Sequence, residues 1–199
     1  GFCLTTAAYS RFIDANRLRG SIAIELGRKR LEDMRWEEMW DSALRIRNIF
    51  LKSAIPPDIK GAVLKALKDY PSRTPFAVRS ASSSEDGSET SYAGLHESFL
   101  NVSGSGDILE KIKLVWASLW SDAAISYSRE LSLDVENSSM AVIVQEMIFG
   151  EKSGVAFSVS PRNEKEAVVE AVYGLNKGLV DGDIESDQWA LGRKNGKIS

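Results

Sequence analysis

The sequence holds a single cysteine, Cys3, and a single histidine, His96. One cysteine excludes an internal disulfide and any cysteine-based metal cluster, and it suits a reducing cytoplasm. One histidine excludes a histidine-based triad, or a metal site with several histidine ligands, built within this chain; His96 itself reads as a surface or loop residue. Long apolar runs are missing too. None approaches the roughly 20 residues that a membrane helix needs, and no signal peptide is visible. Basic charge is also in short supply, with 25 Lys and Arg against 28 Asp and Glu, a net charge of −3 and a pI near 5.4. That balance argues against a general nucleic-acid surface, so any phosphate site must be a local arrangement.

What remains is the composition of an ordinary folded domain. With 199 residues, 43% hydrophobic and 27% charged, the chain can bury roughly 70% of the surface it would expose unfolded. The first residue is Gly1, and an extended run follows it, which reads as a piece cut from a longer protein. Residues 1–71 read as a helical layer. A helix after Thr5 or Thr6 puts Ala8, Phe12 and Ile13 on one face; Gly20 is expected to break it. Two helices follow with a joint at residues 27–33, and Pro56 and Pro57 start another that carries Ile59, Val63, Leu64 and Leu67 on one stripe. Nothing in this layer reads as chemistry.

Residues 72–135 hold the stretch around which the chain is organised. Phe76, Ala77, Val78 and Arg79 form a short strand. Residues 80–94 are then small and polar, and residues 98–102 form a second strand. Strand, serine-rich loop and strand, with an Arg at the junction, can hold an anionic ligand such as a polyphosphate through backbone N–H groups, hydroxyls and a guanidinium fork. Glu85, Asp86 and Glu89 cut the other way, since acids repel a bare phosphate. After this come a helix capped by Ser105 or Asp107 and a second helix, with Trp116 and Trp120 four apart as core aromatics.

From residue 136 the period changes from helical to alternating. Residues 141–149, AVIVQEMIF, form a strand interrupted by Gln145 and Glu146, which costs stability unless they are paired or face a cleft. Residues 153–159 and 167–172 are further strands, the last with Glu170 in its interior, and residues 188–191 are expected to close the set as a last strand. The expected class is α+β, a helical N-terminal layer followed by mixed or antiparallel sheet with helices.

Taken together these motifs resemble a known family. FAVRSASSSEDGSETSYAGLHESFLNV is similar to the phosphate-binding stretch of the N-terminal ATP-binding domain of phosphoenolpyruvate synthase (pyruvate, water dikinase) and pyruvate phosphate dikinase. GFCLTTAAYSRFI, ASLWSDAAISYSRE, AVIVQEMIFGEKSGVAFSVSP and EAVYGLNKGLVDGDIESD follow the family's further motifs in order, with a weaker match at residues 20–55. The resemblance implies an ATP-grasp-like fold that clamps ATP and Mg²⁺ between two lobes. It further implies transfer of the β-phosphate of ATP to a histidine on a separate domain of the full-length protein, which delivers it to pyruvate bound on another.

On this sequence the resemblance puts Arg79 on the phosphates, as the one catalytic residue, and Tyr92, Ala93 and Gly94 in the glycine loop above them. Gln145, Glu146, Met147 and Ile148 would be the hinge strand beside adenine, with Glu170 facing the nucleotide. Metal ligands are expected beyond Ser199, and a fragment ending there is expected to be inactive alone. Asn176 and Lys177 depart from the family, standing where it often has Gly and Glu. Two alternatives remain: a dikinase with another acceptor, such as rifampin or a glucan, and a non-catalytic module that senses nucleotide.

Overall fold

A computed structural model of the chain describes residues 1–81, 95–131, 138–180 and 182–198, with the backbone alone for Leu31. Two compact units divide it, Gly1–Met147 and Ile148–Ser199.

The first unit begins with strand β1 (Phe2–Leu4) and helices α1 (Thr6–Ala15), α2 (Leu18–Leu26), α3 (Trp36–Lys52) and α4 (Pro57–Leu67). Strands β2 (Phe76–Ala81) and β3 (Ser98–Val102), helices α5 (Ser105–Ala117) and α6 (Asp122–Glu130), and strand β4 (Ala141–Glu146) complete it. Of the stripes read from the sequence, Phe12 and Ile13 on α1 and Ile59 and Val63 on α4 are buried, and so are Tyr9 on α1 and Ile108, Ile112 and Val115 on α5. At their centre Phe12 lies 5.0 Å from Trp116 and 5.6 Å from Phe50, ring centre to ring centre. The Trp120 indole N–H donates to the Tyr9 hydroxyl at 3.2 Å, and burial pushes the Tyr9 phenol well above its ordinary range. Both expected core tryptophans are therefore core.

Helix boundaries follow local chemistry more closely than the residue types suggested. Gly20 does not break the first helix; it lies inside α2. The break comes at Arg17, in the left-handed region with φ of 54°. Asn16 makes that stop hold, because its side-chain amide donates to the carbonyls of Phe12 (2.9 Å), in the last turn of α1, and of Ala54 (3.0 Å), just past α3. Gly20 is exposed, and a Cβ there meets nothing within 4 Å. Gly20→Ala is therefore expected to stabilise the protein by about 0.5–1 kcal/mol, read by denaturant unfolding, through the lower entropy of the unfolded chain. The joint expected at residues 27–33 is present and contains a single 3-10 turn, Leu31–Asp33. Neither Ser105 nor Asp107 caps α5. Gly104 does, with φ of 86°, and Ser105 is its first helical residue.

At the start of α3 the Arg35 backbone N–H donates to Glu38 Oε2 at 2.8 Å, and Lys29 Nζ stands 2.7 Å from the same oxygen. Those two hydrogen bonds, Lys29's first, hold the Glu38 carboxyl down to about 2. A lowered folded-state value means a contribution that is complete above the ordinary carboxylate range and lost as pH falls toward 2. NMR titration of the Glu38 carboxyl carbon should thus show a midpoint near 2 in wild type, and in Lys29→Met a higher one that stays below the ordinary carboxylate range because the Arg35 N–H and charge remain. At the other end of α3, Lys113 on α5 donates to the carbonyls of Leu51 (2.6 Å) and Ser53 (3.3 Å), a cation at a helix C-terminus.

One face of the first sheet rests on α1 and α5. Its strand order is β1-β4-β2-β3, and every pairing is antiparallel. Leu4, Phe76, Val78, Val102, Val142 and Val144 point to the helices and are buried, as alternation requires of a half-covered sheet. β3 carries a register shift with Asn101 at φ of 60°, the local geometry of a bulge. Two hydrogen bonds from Arg47 of α3 to the Glu97 carboxylate, one of 3.3 Å between Nη2 and Oε2, tie the entry of β3 to the helical layer.

The second unit is a three-stranded antiparallel sheet, β5 (Lys152–Phe157), β6 (Glu166–Tyr173) and β7 (Asp187–Gly192), in that order, with the short helix α7 (Lys177–Val180) between β6 and β7. Among the described residues none of its hydrophobic side chains is buried. Close backbone approach defines it instead: Gly154 pairs with Ala171, and a Cβ at Gly154 would stand 2.2 Å from the Glu170 carbonyl oxygen. The class is α+β, with antiparallel pairing throughout the described residues.

Candidate functional site

The face of the first sheet turned away from the helices carries the sequence-predicted chemistry. Residues directly opposite each other across a strand pair share a face. Cys3 lies opposite Ile143, Ile143 opposite Arg79, and Arg79 opposite Ser98, so these four form one row across β1, β4, β2 and β3. Gln145, two residues along β4, is on the same face beside Ala77. Arg79, Ser98, Gln145 and Cys3 are exposed, and Ile143 retains 37% of its surface while Val142 and Val144 on the other face retain none.

Arg79 emerges where β2 passes from the core to the surface. Phe76, Ala77 and Val78 are buried and Arg79 is not. No ion pair joins it to another described residue. A guanidinium on a rigid strand, with its five donors uncommitted among the described residues, is suited to a planar or tetrahedral anion. Gln145 lies diagonally across from it, at the roughly 7–8 Å typical of such pairs, and offers an amide donor and acceptor.

Other expected site residues separate. Glu146 is opposite Phe76, so alternation sends it to the reverse of the Gln145 face. β4 ends at Glu146, short of the expected residue 149, and Met147 and Ile148 lie outside the strand. The Met147 N–H donates to the Pro75 carbonyl at 2.9 Å, and the division between the two units falls directly after it. Tyr92, Ala93 and Gly94, with the acids Glu85, Asp86 and Glu89, lie outside the described residues.

On the second unit Glu170 is half-buried in the middle of β6. Its carboxylate accepts from the side-chain amide of Gln188, directly opposite on β7. Gln188 is a neighbour of Glu170 that the sequence did not single out; its pairing with a carboxylate 18 residues away depends on the β6–β7 register. Ile143, Ser98 and Cys3 were missed for the same reason. Each is an unremarkable strand residue until the pairing sets it in Arg79's row.

Among the described residues no group of three His, Cys, Asp or Glu could hold a metal ion, and no helix is long and apolar enough to cross a membrane. A cavity of about 440 Å³ opens beside α1 and α2, lined by Tyr9, Ser10, Arg19 and Trp120 among others. None of the expected site residues lines it.

The whole chain, residues 1–199, matches the model of the family described as pyruvate phosphate dikinase, AMP/ATP-binding domain. The chain belongs to this family. Its curated relatives carry more than one activity in their names. A phosphoenolpyruvate synthase of Aeropyrum pernix is 34% identical over 205 aligned positions, which cover 100% of this chain and 25% of that protein. A rifampicin phosphotransferase of Streptomyces sviceus is 36% identical over 189 positions, 94% of this chain and 22% of that protein. A rifampicin phosphotransferase of Bacillus subtilis is 33% identical over the same length and the same shares. This AMP/ATP-binding domain thus spans about a quarter of the length of the curated relatives it matches, and those proteins hold other domains as well.

Proposed function

We propose that this AMP/ATP-binding domain is the nucleotide-binding part of a phosphoenolpyruvate synthase or dikinase-like phosphotransferase with an ATP-grasp-like fold. In this reading it passes the β-phosphate of ATP to a histidine on a separate domain of the same protein, for transfer to pyruvate. The observation that carries the reading is the exposed face of the first sheet, where Arg79, with no ion pair to a described residue, and Gln145 stand together in a chain of the AMP/ATP-binding family.

Arg79 holds the phosphates and neutralises charge as the transferring group moves, so its work is positioning and electrostatics. Gln145, with the backbone of residues 146–148, meets the adenine. Tyr92, Ala93 and Gly94 close over the phosphates. Mg²⁺ accompanies ATP as its counter-ion, and no step is assigned to it. The fragment alone is expected to be inactive, because the histidine it serves is not His96.

Two labelling reactions test the proposal. Full-length protein incubated with ATP labelled at the β-phosphate should retain acid-labile, base-stable label; with ATP labelled at the γ-phosphate it should not. Absence of β-label would end this reading. A second acceptor class is favoured by the 36% identity to a rifampicin phosphotransferase. Chasing the labelled protein with pyruvate or with rifampicin decides between them, since the acceptor that removes the label is the substrate.

A further inference from the structure

Helix α3 lies in the segment where the family motifs are weakest, and its solvent side carries an apolar ridge. Trp36, Trp40 and Leu44 follow one another at intervals of four and retain 62%, 49% and 41% of their surface. Spacing of four puts them on one ridge of the helix. Between them opens a shallow cleft of about 560 Å³ lined by Trp36, Glu37, Glu38, Trp40 and Asp41. Neither indole stacks on another ring or lies under a cation among the described residues.

The charges around the cleft are nearly all matched. Glu38 is held by Lys29 and Arg35, and Asp41 by Arg45. Glu37 has no ion pair with a described residue. Two uncovered indoles beside one unmatched carboxylate form a site complementary to a single cation. An indole face attracts a guanidinium or ammonium group, guanidinium most often, and the carboxylate supplies the counter-charge. Tryptophan and arginine are also both among the residue types that dominate protein interfaces.

We propose that this cleft is a docking site for an arginine-bearing segment of a partner polypeptide, whose guanidinium lies against Trp36 and Trp40 with Glu37 as its counter-charge. The site is independent of the nucleotide reading, since it shares no residue with the face of Arg79.

Full-length protein titrated with a hexa-arginine peptide, with hexa-lysine and hexa-glutamate as comparisons, tests it by calorimetry. Hexa-arginine should bind more tightly than hexa-lysine, and hexa-glutamate should not bind. Trp36→Leu with Trp40→Leu keeps every charge and removes both π faces; it should weaken hexa-arginine about 10-fold or more, while Glu37→Gln should weaken it by about 3-fold. Nucleotide-dependent labelling should be unchanged in all three substitutions. Equal affinity in the double tryptophan variant, or no binding to wild type, would overturn the proposal. So would wild-type self-association, read by sedimentation, that the tryptophan variant abolishes, because the occupant would then be a second copy.

Discussion

Arg79→Ala in the full-length protein is expected to lower ATP-dependent phosphorylation by roughly 10³-fold, the scale on which removing a preorganised donor or an arginine that neutralises a transferring phosphoryl group acts. Stability should change by no more than about 0.5 kcal/mol. That combination follows from where the residue stands. Arg79 is exposed and has no ion pair with a described residue, so its removal orphans no partner among the described residues. Arg79→Lys keeps the charge but not the bidentate fork and should fall between the two, about 10–100-fold down. Quench-flow labelling with β-labelled ATP, beside urea unfolding of each variant, reads both quantities. Retained labelling in Arg79→Ala would remove this residue from the mechanism.

Gly154→Ala carries the second large effect, in the opposite direction from Gly20→Ala. The same methyl group that meets open space at Gly20 would come within 2.2 Å of the Glu170 carbonyl oxygen and 3.3 Å of the Ala171 Cα at Gly154. Those are backbone atoms and cannot swing aside as a side chain would. β5 must therefore move off β6, at a cost of about 3 kcal/mol, the upper end of what overpacking a well-fitted site costs. Hydrogen exchange of peptides spanning residues 152–173 should accelerate strongly while residues 36–52 stay protected. Unchanged exchange in the first region would show that the strand pair is looser than its register implies.

These two positions also show what could be read from the sequence and what could not. Residue type and spacing marked Arg79 at once, as a cation ending an apolar run, and the stripes of α1, α4 and α5 were legible from their periods. Gly20 misled because propensity is a weak guide where Asn16 and a left-handed Arg17 supply the actual stop. Gln145 and Glu146 looked equivalent as polar interruptions of one strand. Only pairing with β2, more than 60 residues earlier, distinguishes the one that shares Arg79's face from the one that does not. In the same way the β6–β7 register made Gln188 a partner of Glu170, and β1–β4 pairing brought Cys3 into the row of Arg79. Family membership was legible because several motifs recur in order along the chain; the site's membership was not, because a sheet face is assembled from residues that the sequence scatters.

The claim on which the rest depends is that ATP lies on the open face of the first sheet. Cys3 is the only cysteine of this chain, is exposed, and stands two strands from Arg79 in the same row, a separation of about 10 Å. Its alkylation rate by N-ethylmaleimide, followed by mass spectrometry of the Cys3 peptide in the full-length protein, reports occupancy of that face. Saturating MgATP should slow the reaction at least about 10-fold in wild type, and the MgATP concentration that gives half of this protection should rise in Arg79→Ala. An unchanged rate in wild type, with ATP shown to be bound, would place the nucleotide elsewhere and contradict the account.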